Sequence, residues 1–194
     1  MSEAVLFEAR ADGVAIITLN RPEARNALGK DIRSGLFAAW DRFERDPGLR
    51  VAILTGSGDK AFCAGGDIRS LYQSFQDSGK LHHDFFVAEY SLDYLLHTYR
   101  KPYVALIDGI TMGGGMGLAQ GSTLRVVGER TRIAMPEVGI GLFPDVGASY
   151  FLSRLPGSLG PYLALTGVQV RGAAARRGLD DLFQELAGRS GRDL

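Results

Sequence analysis

The sequence holds one cysteine, one tryptophan and three histidines in 194 residues. A single cysteine, Cys63, excludes an intrachain disulfide and suits a reducing compartment, so the cytoplasm is the expected location. Set between Phe62 and Ala64, it reads as a small buried hydrophobe rather than a nucleophile. His82, His83 and His97 have no cysteine or acid partners at zinc-ligand spacing, which argues against a zinc site. The first two read as a solvated loop pair. Neither sign of charge is in excess, with 22 Lys plus Arg against 22 Asp plus Glu. A net charge of zero removes the simplest electrostatic case for nucleic acid or an anionic membrane as partner. No apolar run reaches the ~20 residues of a membrane span. The first ten residues lack a basic region followed by a long apolar stretch, and their Glu3 and Glu8 argue against an acid-poor transit peptide. Hydrophobic residues are 45% and charged residues 23%, so disorder and coiled coil are poor readings.

What the chain does have is glycine, 26 residues gathered in short groups rather than spread as a linker. The β-branched run VAIITL at residues 14–19 predicts a strand, broken by Asn20-Arg21-Pro22. Apolar residues recur at helical spacing over 27–43, with Asn26 as a plausible N-cap and Pro47-Gly48 as the stop. Residues 51–54 predict a short strand, and the apolar stretch 61–64 runs into Gly65-Gly66-Asp67, with a helix from Ile68. A long helix is expected over 85–99, then a continuous apolar strand of the buried type at 103–107. Asp108 to Gly115 is glycine-rich and opens a short helix through Leu118. Residues 124–127 predict a strand, 134–147 mostly loop, and two short helices lie near Tyr150 and Leu163. Strands alternating with helices make this an α/β chain with right-handed crossovers. From 173 to 194 the sequence is polar, with no strong apolar face.

Three features point to chemistry. Two glycine clusters each follow a strand and open a helix, which leaves backbone N–H groups unpaired. Glycine lets a ligand approach such groups closely, and two that converge form an oxyanion hole; the candidate donors are Gly66 and Gly114. Either cluster alone could be no more than a tight turn. No window around Gly113 completes the dinucleotide pattern G-x-G-x-x-G. Glu89 falls in the stripe Phe85, Glu89, Leu92, Leu96, Tyr99, in the middle of an apolar helix face. A carboxylate there must be paired, protonated or functional, unless it sits at the stripe's edge and reaches solvent. Finally, Glu137 and Asp145 stand eight residues apart in an otherwise apolar loop, a setting that raises carboxyl pKa values toward neutrality. Asp145 could instead cap the following helix.

Four blocks carry a resemblance over roughly residues 5–172: NRPEARNAL, FCAGGDI, KPYVALIDGITMGGGMGL and MPEVGIGLFPDVGASYFL. In this order they resemble the crotonase superfamily, the enoyl-CoA hydratase/isomerase fold. The last two blocks look most like its 3-hydroxyisobutyryl-CoA hydrolase branch. The resemblance implies a crotonase-like ββα-spiral core that binds acyl-CoA thioesters, with the Gly66 and Gly114 N–H groups on the thioester oxygen. It also implies that Glu89, Gly114, Glu137 and Asp145 bind substrate, and that Glu137 and Asp145 carry the catalysis. Hydratases place a second catalytic glutamate where this chain has Gly117, which counts against hydration of a double bond. The implied reaction is hydrolysis of a β-hydroxyacyl-CoA, with an isomerase or hydratase, or an inactive CoA-binding module, as alternatives. No metal or redox cofactor is implied, because CoA arrives with the substrate. The hydrolases continue past this chain's match with helices that close the site and make subunit contacts. The helical C-terminal part is therefore expected to be truncated, and a homo-oligomer is possible.

Overall fold

A computed structural model describes residues 4–155 and 157–171 of the chain. The polar segment expected at 173–194 lies outside the described residues. The elements run in order β1 (Val5–Ala9), β2 (Val14–Leu19), α1 (Lys30–Arg45), β3 (Val51–Gly56), β4 (Ala61–Cys63), α2 (Ile68–Gln76), α3 (Leu81–His97), β5 (Tyr103–Ile107) and β6 (Ile110–Met112). There follow α4 (Gly114–Gln120), β7 (Leu124–Val127), β8 (Arg132–Ala134), α5 (Ala148–Phe151), α6 (Leu159–Thr166) and β9 (Val170–Arg171). The pairs β3–β4, β5–β6 and β7–β8 each place their first strand in one sheet and their second in another. The first sheet has the order β1-β2-β3-β5-β7 and the second β4-β6-β8-β9. Within each sheet the successive turns pair in parallel, which is the ββα spiral the sequence resemblance implies. The antiparallel pairs are β1 on β2 and β9 on β8.

Residues on β2 alternate strictly: Ala15, Ile17 and Leu19 enter the core, while Val14, Ile16 and Thr18 face outward. The strand β5 does the same. Tyr103, Ala105 and Ile107 are buried, but Leu106 is 44% exposed. The continuous apolar sequence of β5 thus does not mark a strand buried on both faces. Its outward side shares a row with Val126 of β7, at 40% exposure. The stripe Ile32, Leu36, Ala39, Trp40, Phe43 of α1 is buried, as its helical period requires. Trp40 packs edge-on against Phe43, Tyr99 and Tyr103. Lys101 Nζ donates to the carbonyls of Phe43 (2.7 Å) and Asp46 (2.8 Å), a cation on the C-terminal end of α1.

Asn26 is not an N-cap. The helix begins four residues later, with Gly29 in the cap position. Asn26 is instead fully buried at φ +53°. Its amide donates to Ser57 O (3.0 Å) and Ala61 O (2.9 Å), and its Oδ1 accepts from the Arg21 N–H (2.9 Å). Backbone bonds from Ala64 N to Arg25 O and from Leu28 N to Gly65 O continue this seam. The NRPEARNAL block therefore ties the first glycine cluster in place. Asn26→Ala would remove the side-chain partner of one buried and two partly buried backbone groups. It should lower unfolding stability by about 3 kcal/mol, read as a fall in the urea midpoint at unchanged slope.

One further expectation is corrected. His82 and His83 lie in the first turn of α3, exposed on the helix rather than in a loop, because α3 starts at Leu81 and ends at His97. Four strands carried no clear sequence signal: β1, β6, β8 and β9 have only 5, 3, 3 and 2 residues, too few for a period to show. Cys63 is fully buried, and burial pushes its thiol up to about 12, which fits a core residue and not a nucleophile.

Candidate active site

Parallel pairing of β4, β6 and β8 brings the ends of all three strands to one edge of the second sheet. The segments that follow them are Ala64-Gly65-Gly66, Gly113-Gly114 and Met135-Pro136-Glu137. These are three of the sequence blocks, over 60 residues apart in the chain between Gly66 and Glu137, delivered side by side. Ligand sites at strand carboxyl ends are a general outcome of parallel connections. One cavity of about 300 Å³ lies against this edge and is lined by Gly66, Gly114, Glu89, Glu137 and Asp145 together. All five candidate residues thus line one cavity.

The first glycine cluster packs against the second. A Cβ on Gly65 would lie 3.4 Å from Gly114 N. Among the described residues, neither the Gly66 nor the Gly114 N–H donates to a backbone acceptor. The Gly65 carbonyl takes the bond from Leu28 N, which leaves the next amide, Gly66, pointing away from that seam. Gly114 is the first residue of α4, where amides have no intrahelical partner. Its predecessor Gly113 has φ +50°, a backbone state that L side chains rarely adopt. Side chains are excluded on contact grounds too. A Cβ on Gly114 would overlap Glu89 Oε1, and one on Gly66 would lie 2.8 Å from Phe85 Cζ.

Glu89 is 3% exposed, so the stripe-edge alternative is excluded. Tyr99, however, lies beyond the end of α3 and does not continue the stripe on the helix. Glu89 Oε1 has no hydrogen-bond donor. Burial, with the charges of Asp93, Asp145 and Glu137 against the opposing effect of Arg33, pushes Glu89 up to about 8. Arg33, the buried cation nearby, donates to Leu28 O at 2.8 Å and stacks over the Phe85 ring at 4.2 Å. Glu137 is 6% exposed and its Oε2 has no donor. Its Oε1 faces Gly113, whose Cβ would fall 2.8 Å away. Burial pushes Glu137 up to about 7, with the Asp145 charge adding to the effect and a backbone hydrogen bond opposing it. Such a carboxyl is ionised in part at neutral pH and can take up a proton there.

Asp145 does not cap a helix through its side chain. The cap position of α5 is Gly147, and no side-chain bond closes it. The Asp145 carboxylate instead accepts 2.7 Å from the Tyr90 hydroxyl, which holds it at the cavity. Sequence reasoning missed two residues here. Tyr90 adjoins Glu89 but points to Asp145, 55 positions away, and no local pattern announces such a pair. Asp93, one turn beyond Glu89, is 6% exposed with neither carboxylate oxygen hydrogen-bonded. The signal for it was present: position 93 is four residues past Glu89 on the same helix face.

The chain as a whole has known counterparts. The model of the family "Enoyl-CoA hydratase/isomerase" matches residues 14–184. A 3-hydroxyisobutyryl-CoA hydrolase, mitochondrial, of Xenopus tropicalis is 51% identical over 175 residues, which are 90% of this chain and 45% of that protein. A probable 3-hydroxyisobutyryl-CoA hydrolase 3 of Arabidopsis thaliana is 47% identical over 87% of this chain and 44% of its own length. Among solved structures, a carnitinyl-CoA dehydratase of Mycobacterium thermoresistibile superposes with TM-score 0.84 at 42% identity, over 93% of this chain and 52% of that one. An enoyl-CoA hydratase of Rhodobacter sphaeroides gives TM-score 0.82 at 36% identity, over 98% and 59%. The chain spans less than half the length of these curated relatives. With a family model matched over most of its length and the ββα spiral in its structure, the chain belongs to the enoyl-CoA hydratase/isomerase family.

Proposed function

We propose that this chain carries the acyl-CoA-binding and hydrolytic centre for a β-hydroxyacyl-CoA thioester, 3-hydroxyisobutyryl-CoA foremost. The observation that carries the reading is one cavity lined by two glycines whose amides have no backbone acceptor and by the buried Glu137. The relatives at 51% and 47% identity bear the hydrolase name, which supports it. In this reading the thioester oxygen sits between the Gly66 and Gly114 N–H groups. Glu137 removes a proton from water as it adds to the carbonyl carbon; in the alternative its carboxylate adds, expels the thiolate and forms a mixed anhydride, which water then hydrolyses to the free acid and the regenerated carboxylate. The tetrahedral oxyanion is held by the two amides. Collapse breaks the C–S bond, the proton passes to the leaving thiolate, and water's oxygen ends in the free acid. Asp145, fixed by Tyr90, orients the β-hydroxyl or the water. CoA enters with the substrate, and no metal or redox group takes part in any step.

Gly117 argues for hydrolysis over hydration. Hydration needs a second carboxyl to handle the proton at the α-carbon. Position 117 has no side chain, and the space where its Cβ would stand is taken by Asp93 Oδ1 and Val146. Crotonyl-CoA should therefore lose no enoyl absorbance at a measurable rate, while a β-hydroxyacyl-CoA releases free thiol on the same preparation. Enoyl loss without thiol release would replace this reading with a hydratase. Tight CoA binding with neither signal would leave a binding module.

A further inference from the structure

Glu89 and Asp93 lie four residues apart on α3, so their Cβ atoms are about 5–6 Å apart on the same face. Both are buried, and Glu89 Oε1 and both Asp93 oxygens find no hydrogen-bond donor. Asp93 fits only because Gly117 of α4 has no side chain: a Cβ there would lie 2.6 Å from Asp93 Oδ1. Glu89 Oε1, in turn, occupies the space a side chain on Gly114 would need. We propose that Asp93 is a positioning residue that keeps Glu89 from ionising beside the Gly114 amide, so that the oxyanion site is free of a competing negative charge. The inference rests on the reading that Gly114 N–H receives the thioester oxygen.

The surroundings leave this pair little other relief. On α3, His97 is held toward its neutral form by burial and by Arg125 of β7, so it supplies no fixed cation. From α1, Arg33 is engaged by Leu28 O and the Phe85 ring, although its charge still favours an ionised Glu89. From β5, the Tyr103 hydroxyl is spent on Leu118 O at 2.7 Å. Tyr90 is spent on Asp145, and Asp145 and Glu137 add further negative charge. Two buried carboxyls this close, without donors, do not both ionise near neutrality. Burial raises both groups, with the charges of Asp93, Asp145 and Glu137 adding to it at Glu89 and Asp145 at Asp93. The pair therefore retains a proton, which we assign to Glu89 because its Oε1 fills the space beside Gly114. A carboxylic acid beside Gly114 is compatible with an oxyanion there; a carboxylate would repel it.

The test is an infrared titration of the Glu89 carboxyl, taken as the difference between the parent and its Glu89→Gln variant. It is repeated in Asp93→Asn and, as a second charge-free replacement, Asp93→Leu backgrounds. The midpoint for Glu89 should fall by about one pH unit when the Asp93 charge is gone. In parallel, the alkaline fall in kcat for thioester hydrolysis should move to lower pH in Asp93→Asn. That difference should vanish in the Glu89→Gln background, a coupling that a merely structural role would not produce. An unmoved Glu89 midpoint in whichever Asp93 variant folds would overturn the assignment. A shifted midpoint in a protein that releases no thiol would instead sink the hydrolase reading and leave the Glu89–Asp93 coupling standing.

Discussion

Replacement of Glu137 by Gln should lower thioester turnover by about 10²-fold or more, the range for a positioned acid–base group, with CoA affinity little changed. The side chain is buried with one oxygen free of partners, so Gln fits the volume and only the charge and basicity are lost. The pH dependence sharpens the test. Burial pushes Glu137 up to about 7, and the base must be ionised to accept a proton. In the parent, kcat should therefore rise as pH increases through about 7. The variant should lose this rising limb and keep a low residual rate from the oxyanion site alone. Near-parental hydrolysis in Glu137→Gln would remove Glu137 from the chemistry.

Gly114→Ala is expected to be comparably severe for a different reason. Its new methyl group would overlap Glu89 Oε1 and stand 2.7 Å from Leu28 Cδ1. Both atoms end flexible side chains, but Leu28 is fully buried and Glu89 nearly so, so their displacement has to be taken up inside the core. Repacking around the methyl group is expected to move the amide from where the oxyanion forms. Loss of one such donor typically costs on the order of 10²–10³ in kcat. Gly114→Pro removes the N–H outright and should be at least as slow. Circular dichroism and a thermal melt must first show a folded protein. A folded Gly114→Ala variant with parental kcat would show that this amide does not hold the oxyanion. Glu137→Gln tests the group that moves a proton and Gly114→Ala the fixed dipole, so the former should alter the pH profile and the latter only its height.

Much of this was legible in the residues themselves. The β-branched runs at β2 and β3, the apolar stripe of α1 and the glycine clusters opening turns are local properties, set by neighbours within a few positions. Burial of Glu89 was likewise implied by its place in the α3 stripe, and the apolar loop around Glu137 implied a raised carboxyl. Where the sequence misled, the competing interaction was distant. Asn26 has the composition of a helix cap, yet its side chain is claimed by carbonyls of Ser57 and Ala61, more than thirty residues on. Asp145 has the position of a cap, yet Tyr90 takes it. The strand β5 reads as buried on both faces, yet Leu106 faces outward, because a strand's composition does not record how many of its faces are covered.

Only the tertiary structure decided the site. Nothing local says that the ends of β4, β6 and β8 are neighbours; the parallel register of the second sheet puts them there. Nothing local says that Gly117 is small because Asp93 fills its place, since the two residues sit on different helices. The amino-acid order determined which groups could do chemistry and that their surroundings are apolar, because side-chain type and periodicity are written residue by residue. Which of those groups face one another was settled by strand pairing and helix packing across the chain. Contacts at that separation depend on the geometry of the whole fold and leave no periodic trace in any one segment.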